Sequence, residues 1–195
     1  MRKLQLVSIT ALAAAGFVAA DARATLTAFT NRAAFEAAAG GVGITETFSV
    51  NRTFVVGDNL YNGVNYRITG TSVGGNSISG GILNGDEFTN TSIDYVFPTS
   101  VKGFGADYSG ANTSSGLFFT INGETISLAS ALPNPGTGFF GVVSSSPFTT
   151  VDVNGGASPN EIYSLDNLEF VAVPEPLSGA MMLAGGMLLQ ARRRH

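Results

Sequence analysis

The side chains that could do chemistry in this chain are almost all carboxylates. Its 195 residues include no cysteine and one histidine, His195 at the end. That composition excludes thiol catalysis, cysteine-ligated zinc and iron–sulfur clusters. It also excludes a Ser–His–Asp triad or a histidine metal site in the body of the chain. Two acids break the expected inside–outside pattern. In Ile44-Thr45-Glu46-Thr47-Phe48, strand alternation puts Glu46 on the face of Ile44 and Phe48. In the run from Ile162 to Phe170, Asp166 falls on the face of Ile162, Leu168 and Phe170. A buried carboxylate needs a partner. Ca²⁺ is one, since it collects carboxylate and carbonyl oxygens, and first and last strands are neighbours in many antiparallel sandwiches. Glu46 and Asp166 are therefore candidate ligands of a structural Ca²⁺, and no other cofactor is implied. The competing expectations are a β-bulge that turns either acid to solvent, or pairing with backbone amides, Arg52 or Arg67. Paired carboxylates can also hydrolyse glycosides when held roughly 5–10 Å apart across a cleft. No particular pair stands out for that role, and the chain is expected not to be an enzyme.

The elements that would position these residues are short strands. Period-two alternation marks Ile93, Tyr95 and Phe97, then Leu117, Phe119 and Ile121, then Ile126 and Leu128. Asn122-Gly123 stands between two such runs as a hairpin signal, and further Asn-Gly pairs occur at 62–63, 84–85 and 154–155. Other strands are expected over 45–49, 53–56, 64–69, 87–91, 101–108, 138–143, 148–153 and 162–171. The fold class that follows is all-β, an antiparallel β-sandwich. One short helix precedes it, from Phe29 to the stop at Gly40-Gly41, with Thr30 as N-cap and Phe29 and Phe35 docking it. Residues 70–86, rich in Gly, Ser and Asn, read as a long mobile loop. A phosphate cradle would need a following helix and a lysine, which are lacking, so nucleotide binding is rejected. Phenylalanine is expected to build the core. Tyr61, Tyr66 and Tyr108, beside Gly- and Asn-rich turns, are the expected exposed rings.

Both ends differ from this body. Residues 1–24 carry Arg2 and Lys3, an apolar run and small residues before Thr25, the order of a signal peptide. Cleavage is expected before Thr25, with a cut after Ala20 as the competitor. Residues 25–172 then hold four basic and twelve acidic residues, a net charge near −8. Such a surface argues against nucleic acid and against charge-driven binding to anionic lipid. The last segment, 173–195, joins Pro174-Glu175-Pro176 to an uncharged stretch, Leu177–Ala191, and then to Arg192, Arg193 and Arg194. As a helix that stretch spans about 22 Å, short of a ~30 Å hydrocarbon core, so it gives a marginal hold on a membrane. The arginines would stop its far end in the cytoplasm and leave the body outside.

The triplet, apolar helix and terminal arginine cluster together resemble the PEP-CTERM sorting signal, also known as the ice-binding-protein C-terminal domain. The resemblance implies a Gram-negative bacterium that makes exopolysaccharide. It also implies an exosortase partner that recognises Pro174, Glu175 and Pro176 and processes the chain near them. The precursor would be held in the inner membrane through 177–191 and its body passed to the cell surface or matrix. The ice-binding label does not carry over, because regular Thr-rich repeats are missing. The body resembles, in pattern, the exosortase-dependent surface proteins, with a short helix, an early Thr-Phe strand and a closing Leu165-Asp166-Asn167-Leu168. That similarity implies a jelly-roll or galactose-binding-like sandwich. The function expected is structural or adhesive, in association with exopolysaccharide. A carbohydrate-binding module with a defined glycan site is the alternative, and a glycan hydrolase the third reading.

Overall fold

The structure is a computed structural model that describes residues 24–70, 74–87, 91–111, 116–133, 135–155 and 161–174. It is all-β with one short helix. The strands are β1 (Leu26–Phe29), β2 (Ile44–Glu46), β3 (Arg52–Thr53), β4 (Leu60–Tyr61), β5 (Val64–Gly70) and β6 (Ser77–Ser79). They continue with β7 (Ile82–Glu87), β8 (Thr91–Ala111), β9 (Leu117–Ile121), β10 (Glu124–Ser127), β11 (Gly136–Gly155) and β12 (Glu161–Ala172). All twelve join one antiparallel sheet.

Two long strands fold that sheet on itself. The first part of β8 pairs with β5 and with Thr150–Val153 of β11, while its second part pairs with β12 and with the first part of β11. Between the two parts the register slips twice. Residues 97–100 of β8 stand opposite Thr149, and residues 144–147 of β11 stand opposite Lys102. Pro98 and Pro147 lie in these slips, where a residue without an N–H costs the ladder nothing. We call this the corner end of the molecule, and the end where β7 finishes and β12 begins the far end.

The folded halves enclose one aromatic core. Phe104 meets Phe119 at 5.4 Å between ring centroids, Phe119 meets Phe140 at 5.3 Å, and Phe97 meets Phe170 at 5.0 Å. The expected phenylalanine core is thus present, and Ile93, Tyr95, Phe97, Leu117, Phe119 and Ile121 all point into it.

Helix α1 (Arg32–Ala39) packs on the outside of the sheet. Its N-cap is Asn31 and not Thr30: Asn31 Oδ1 accepts the Ala34 N–H at 3.0 Å, the bond that satisfies a first-turn amide. Phe35 is fully buried and Phe29 packs beside it, as expected. The fit depends on bare backbone beneath the ring. A Cβ on Gly141 would stand 2.7 Å from Phe35 Cδ2, and one on Gly103 2.9 Å from its Cε2.

Two of the four Asn-Gly pairs are hairpin turns. Asn62-Gly63 joins β4 to β5 and Asn122-Gly123 joins β9 to β10, all four residues at positive φ as a type I′ turn demands. Asn84-Gly85 and Asn154-Gly155 lie inside strands instead. Nor is 70–86 a loop throughout. It holds β6 and most of β7, joined by a tight turn at Gly80-Gly81 with φ of 63° and 85°. Glycines that looked like loop are there to turn the chain and to make room inside the sheet. Among the described residues no helix is long and apolar enough to cross a membrane.

Candidate functional site

The far end holds the most unusual chemistry. Alternation in β7 turns Leu83, Gly85 and Glu87 inward, and in β12 it turns Glu161, Tyr163 and Leu165 inward. Glu87 and Glu161 are direct partners in the ladder, and they are only 1% and 0% exposed. Two glycines create the space. A Cβ on Gly85 would lie 2.1 Å from Tyr163 Cζ, and one on Gly155 would lie 3.1 Å from Glu161 Cβ and 3.2 Å from Glu87 Cβ. The Tyr163 hydroxyl donates to Glu87 Oε1 at 3.3 Å and stands 3.0 Å from the Tyr95 hydroxyl. Glu161 Oε2 accepts the Gly116 N–H at 3.0 Å. Glu87 Oε2 is buried with no hydrogen-bond partner among the described residues. Burial pushes the Glu87 carboxyl well above the usual range, and hydrogen bonds from Tyr163 and the Ile93 backbone offset this only in part. Burial likewise raises both tyrosine hydroxyls. Paired carboxyls are what glycoside hydrolysis uses, but these two are 1% and 0% exposed and offer no surface to a polymer.

The two acids singled out from the sequence do not form a centre. Strands β2 and β12 are neighbours as expected, with Glu46 opposite Leu168. Glu46 is buried, and its Oε1 accepts the Phe48 N–H at 2.6 Å. Ile44, expected on the same buried face, is exposed. Asp166 lies on the outer face with exposed Ile162, because the ladder slips between Asp166 and Glu169. Asn167, at φ 51°, is the extra residue, and past it Leu168 and Phe170 return to the core. Asp166 Oδ1 accepts the Asn167 N–H at 2.6 Å. Each acid therefore has a backbone amide as its partner. Among the described residues no group of three or more His, Cys, Asp or Glu could hold a metal ion.

The same bulge builds a contact that the sequence did not reveal. Arg32, the first residue of α1, reaches Glu169 Oε2 at 2.7 Å and Asp107 Oδ2 at 3.1 Å, with its guanidinium 4.5 Å from the centre of the Phe139 ring. The Asn167 side chain also donates to Asp107 Oδ2, and the Gly43 N–H donates to Glu169 Oε1. Glu169 is 1% exposed, so the arginine neutralises a charge held out of water. This is an anchor for the helix.

A polar row crosses the outer face of the other half. Arg67 stands opposite Asp94, Asp94 opposite Asp152, and Asp152 opposite Thr120, whose hydroxyl lies 2.9 Å from that of Thr125. Burial first, and then the facing Asp152, push the Asp94 carboxyl up, while Arg67 opposes them. Arg67 also binds Asp58 at 2.8 Å and holds that exposed carboxyl low. No tyrosine platform accompanies the row. Tyr61, Tyr66 and Tyr108 are buried, not exposed as expected, because strand alternation overrides their nearness to turns.

The chain enters and leaves at the corner end. Thr25 N–H donates to Ser145 Oγ and its carbonyl accepts the Ser145 N–H. Val173 N–H donates to the Ser100 carbonyl at 2.9 Å, and the next residue, Pro174, is exposed. Glu175, Pro176, the stretch 177–191 and Arg192–Arg194 lie outside the described residues, as do 1–23. No family model, no curated protein and no solved structure matches the chain.

Proposed function

We propose that this chain is an exported surface or matrix protein, sorted by an exosortase through its Pro-Glu-Pro tail, with a structural or adhesive task in an exopolysaccharide layer and no catalytic one. The observation that carries this reading is the position of the triplet. Among the described residues the last backbone hydrogen bond is made by Val173, and the motif begins one residue later with exposed Pro174. Cutting there would cost the sheet none of its ladder. Among the described residues the first bonds are made by Thr25, the residue after the expected leader cut. We read the folded sheet as a sandwich of the jelly-roll or galactose-binding-like kind. Mass spectrometry of the mature protein's C-terminus tests the sorting. Wild type should end near Pro174–Pro176, and a variant lacking those three residues should stay in the inner membrane with its tail intact. Normal release of that variant would overturn the reading.

The polar row favours a second reading, a carbohydrate-binding module. Carboxylates, an arginine and threonines spread along one sheet face can bond sugar hydroxyls. Under that reading an Asp94→Asn, Asp152→Asn variant would lose retention on immobilised exopolysaccharide while keeping its melting temperature. Equal retention of variant and wild type would remove it.

A further inference from the structure

The corner end carries exposed apolar side chains where the chain leaves the body. Val42 and Ile44 are 77% and 59% exposed, and Ile44 is paired with Phe170, three residues before Val173. Leu60, 63% exposed, belongs to the β4–β5 hairpin, whose Gly63 turn packs against Pro98, two residues from the Ser100 that holds Val173. Lys102 is exposed beside Val101, which pairs with Ala172. Isolated exposed apolar residues need no explanation, but these surround one point of exit.

What covers them follows from the length of the connection. From Val173 to Leu177 the chain spans at most about 14 Å even when fully extended. A bilayer's headgroup layer is itself roughly 5–8 Å deep on each side. A body tethered so closely to a membrane-held segment has its corner end against the interface. Val42, Ile44 and Leu60 are the side chains that meet it there.

We propose that the corner end is a membrane-contact surface, on which the precursor rests against lipid with the exit of the body at Val173 facing the interface. The inference rests on reading Leu177–Ala191 as a membrane segment. It adds a fixed orientation of the body, with apolar side chains entering the headgroup layer and Lys102 among the lipid phosphates. Once the tail is removed the contact is too small to hold the body, which explains why an exported protein can carry it.

The absence of cysteine makes the test direct. Full-length chain with Ile44→Cys or Leu60→Cys, each labelled with a polarity-sensitive fluorophore, is reconstituted in phosphatidylethanolamine–phosphatidylglycerol vesicles. The control is Ile162→Cys, an equally exposed apolar position at the far end, roughly 30 Å along β12 from the exit. Labels at Ile44 and Leu60 should emit to the blue of the control and be quenched several-fold more by spin-labelled headgroups. If the chain floats with the vesicles but all three labels behave alike, the contact surface is wrong. If the chain does not float at all, the reading of the tail is wrong and the contact falls with it.

Discussion

Glu87 is the residue whose ionisation the fold resists most plainly. Its carboxyl is raised well above the ordinary value of 4.5, chiefly by burial and further by the charges of Asp86 and Asp152. The folded state therefore holds this proton more tightly than the unfolded chain does. The stability it lends is fully present below about pH 4.5 and is lost as pH rises toward the folded-state value. Glu87→Gln keeps the shape and an acceptor for Tyr163 but does not titrate. Melting curves from about pH 4 to about pH 8 should show wild type falling relative to the variant as pH rises. A constant gap between the two would disprove the assignment. Little of this was legible beforehand. A carboxylate is normally read as surface, and the inward run Leu83-Gly85-Glu87 was masked by its Gly- and Asn-rich surroundings. Glu46 was legible as buried, since its neighbour Phe48 announced the face. For Asp166 the competing expectation of a bulge is the one the structure follows, and strand alternation alone misplaced it because a one-residue bulge reverses every face beyond it.

At the scale of elements, α1 shows how short helices are retained. Eight residues cannot hold a helix in water, so docking must supply the stability. Phe35 contributes the apolar part and Arg32 the polar part. Arg32→Ala would leave the Glu169 carboxylate buried with, among the described residues, the Gly43 N–H as its remaining donor, a loss of about 3 kcal/mol. Urea unfolding measures the loss, and hydrogen exchange should show the helix amides opening first. Arg32→Ala combined with Glu169→Gln should recover part of it, because the stranded charge is gone. An Arg32→Ala protein as stable as wild type would show that the anchor contributes nothing. The helix itself was readable from its alanines and from Gly40-Gly41, and the Asn122-Gly123 hairpin from its flanking alternation. Strands β6 and β7 were not, since Gly, Ser and Asn say turn by propensity while tertiary pairing says strand.

For the whole molecule, the all-β class was written in period-two alternation, but the folding of one sheet around two corners was not. Strands β8 and β11 each looked like two strands, because Pro98 and the Ser-Ser-Ser-Pro run at 144–147 interrupt the pattern where the chain bends. The place of β12 has a consequence in time. It lies between β8 and β7, also pairs with β2, and supplies Tyr163, Leu165, Leu168 and Phe170 to the interior. A chain delivered N-terminus first cannot complete its core until this strand has arrived, and contacts between residues so distant in sequence form slowly. Under the proposed sorting, the apolar stretch at 177–191, only a few residues behind, would by then be entering the membrane. In that reading the last act of folding takes place on a leash, and the moment the sheet closes is the moment the proposed sorting motif is first presented on a finished protein.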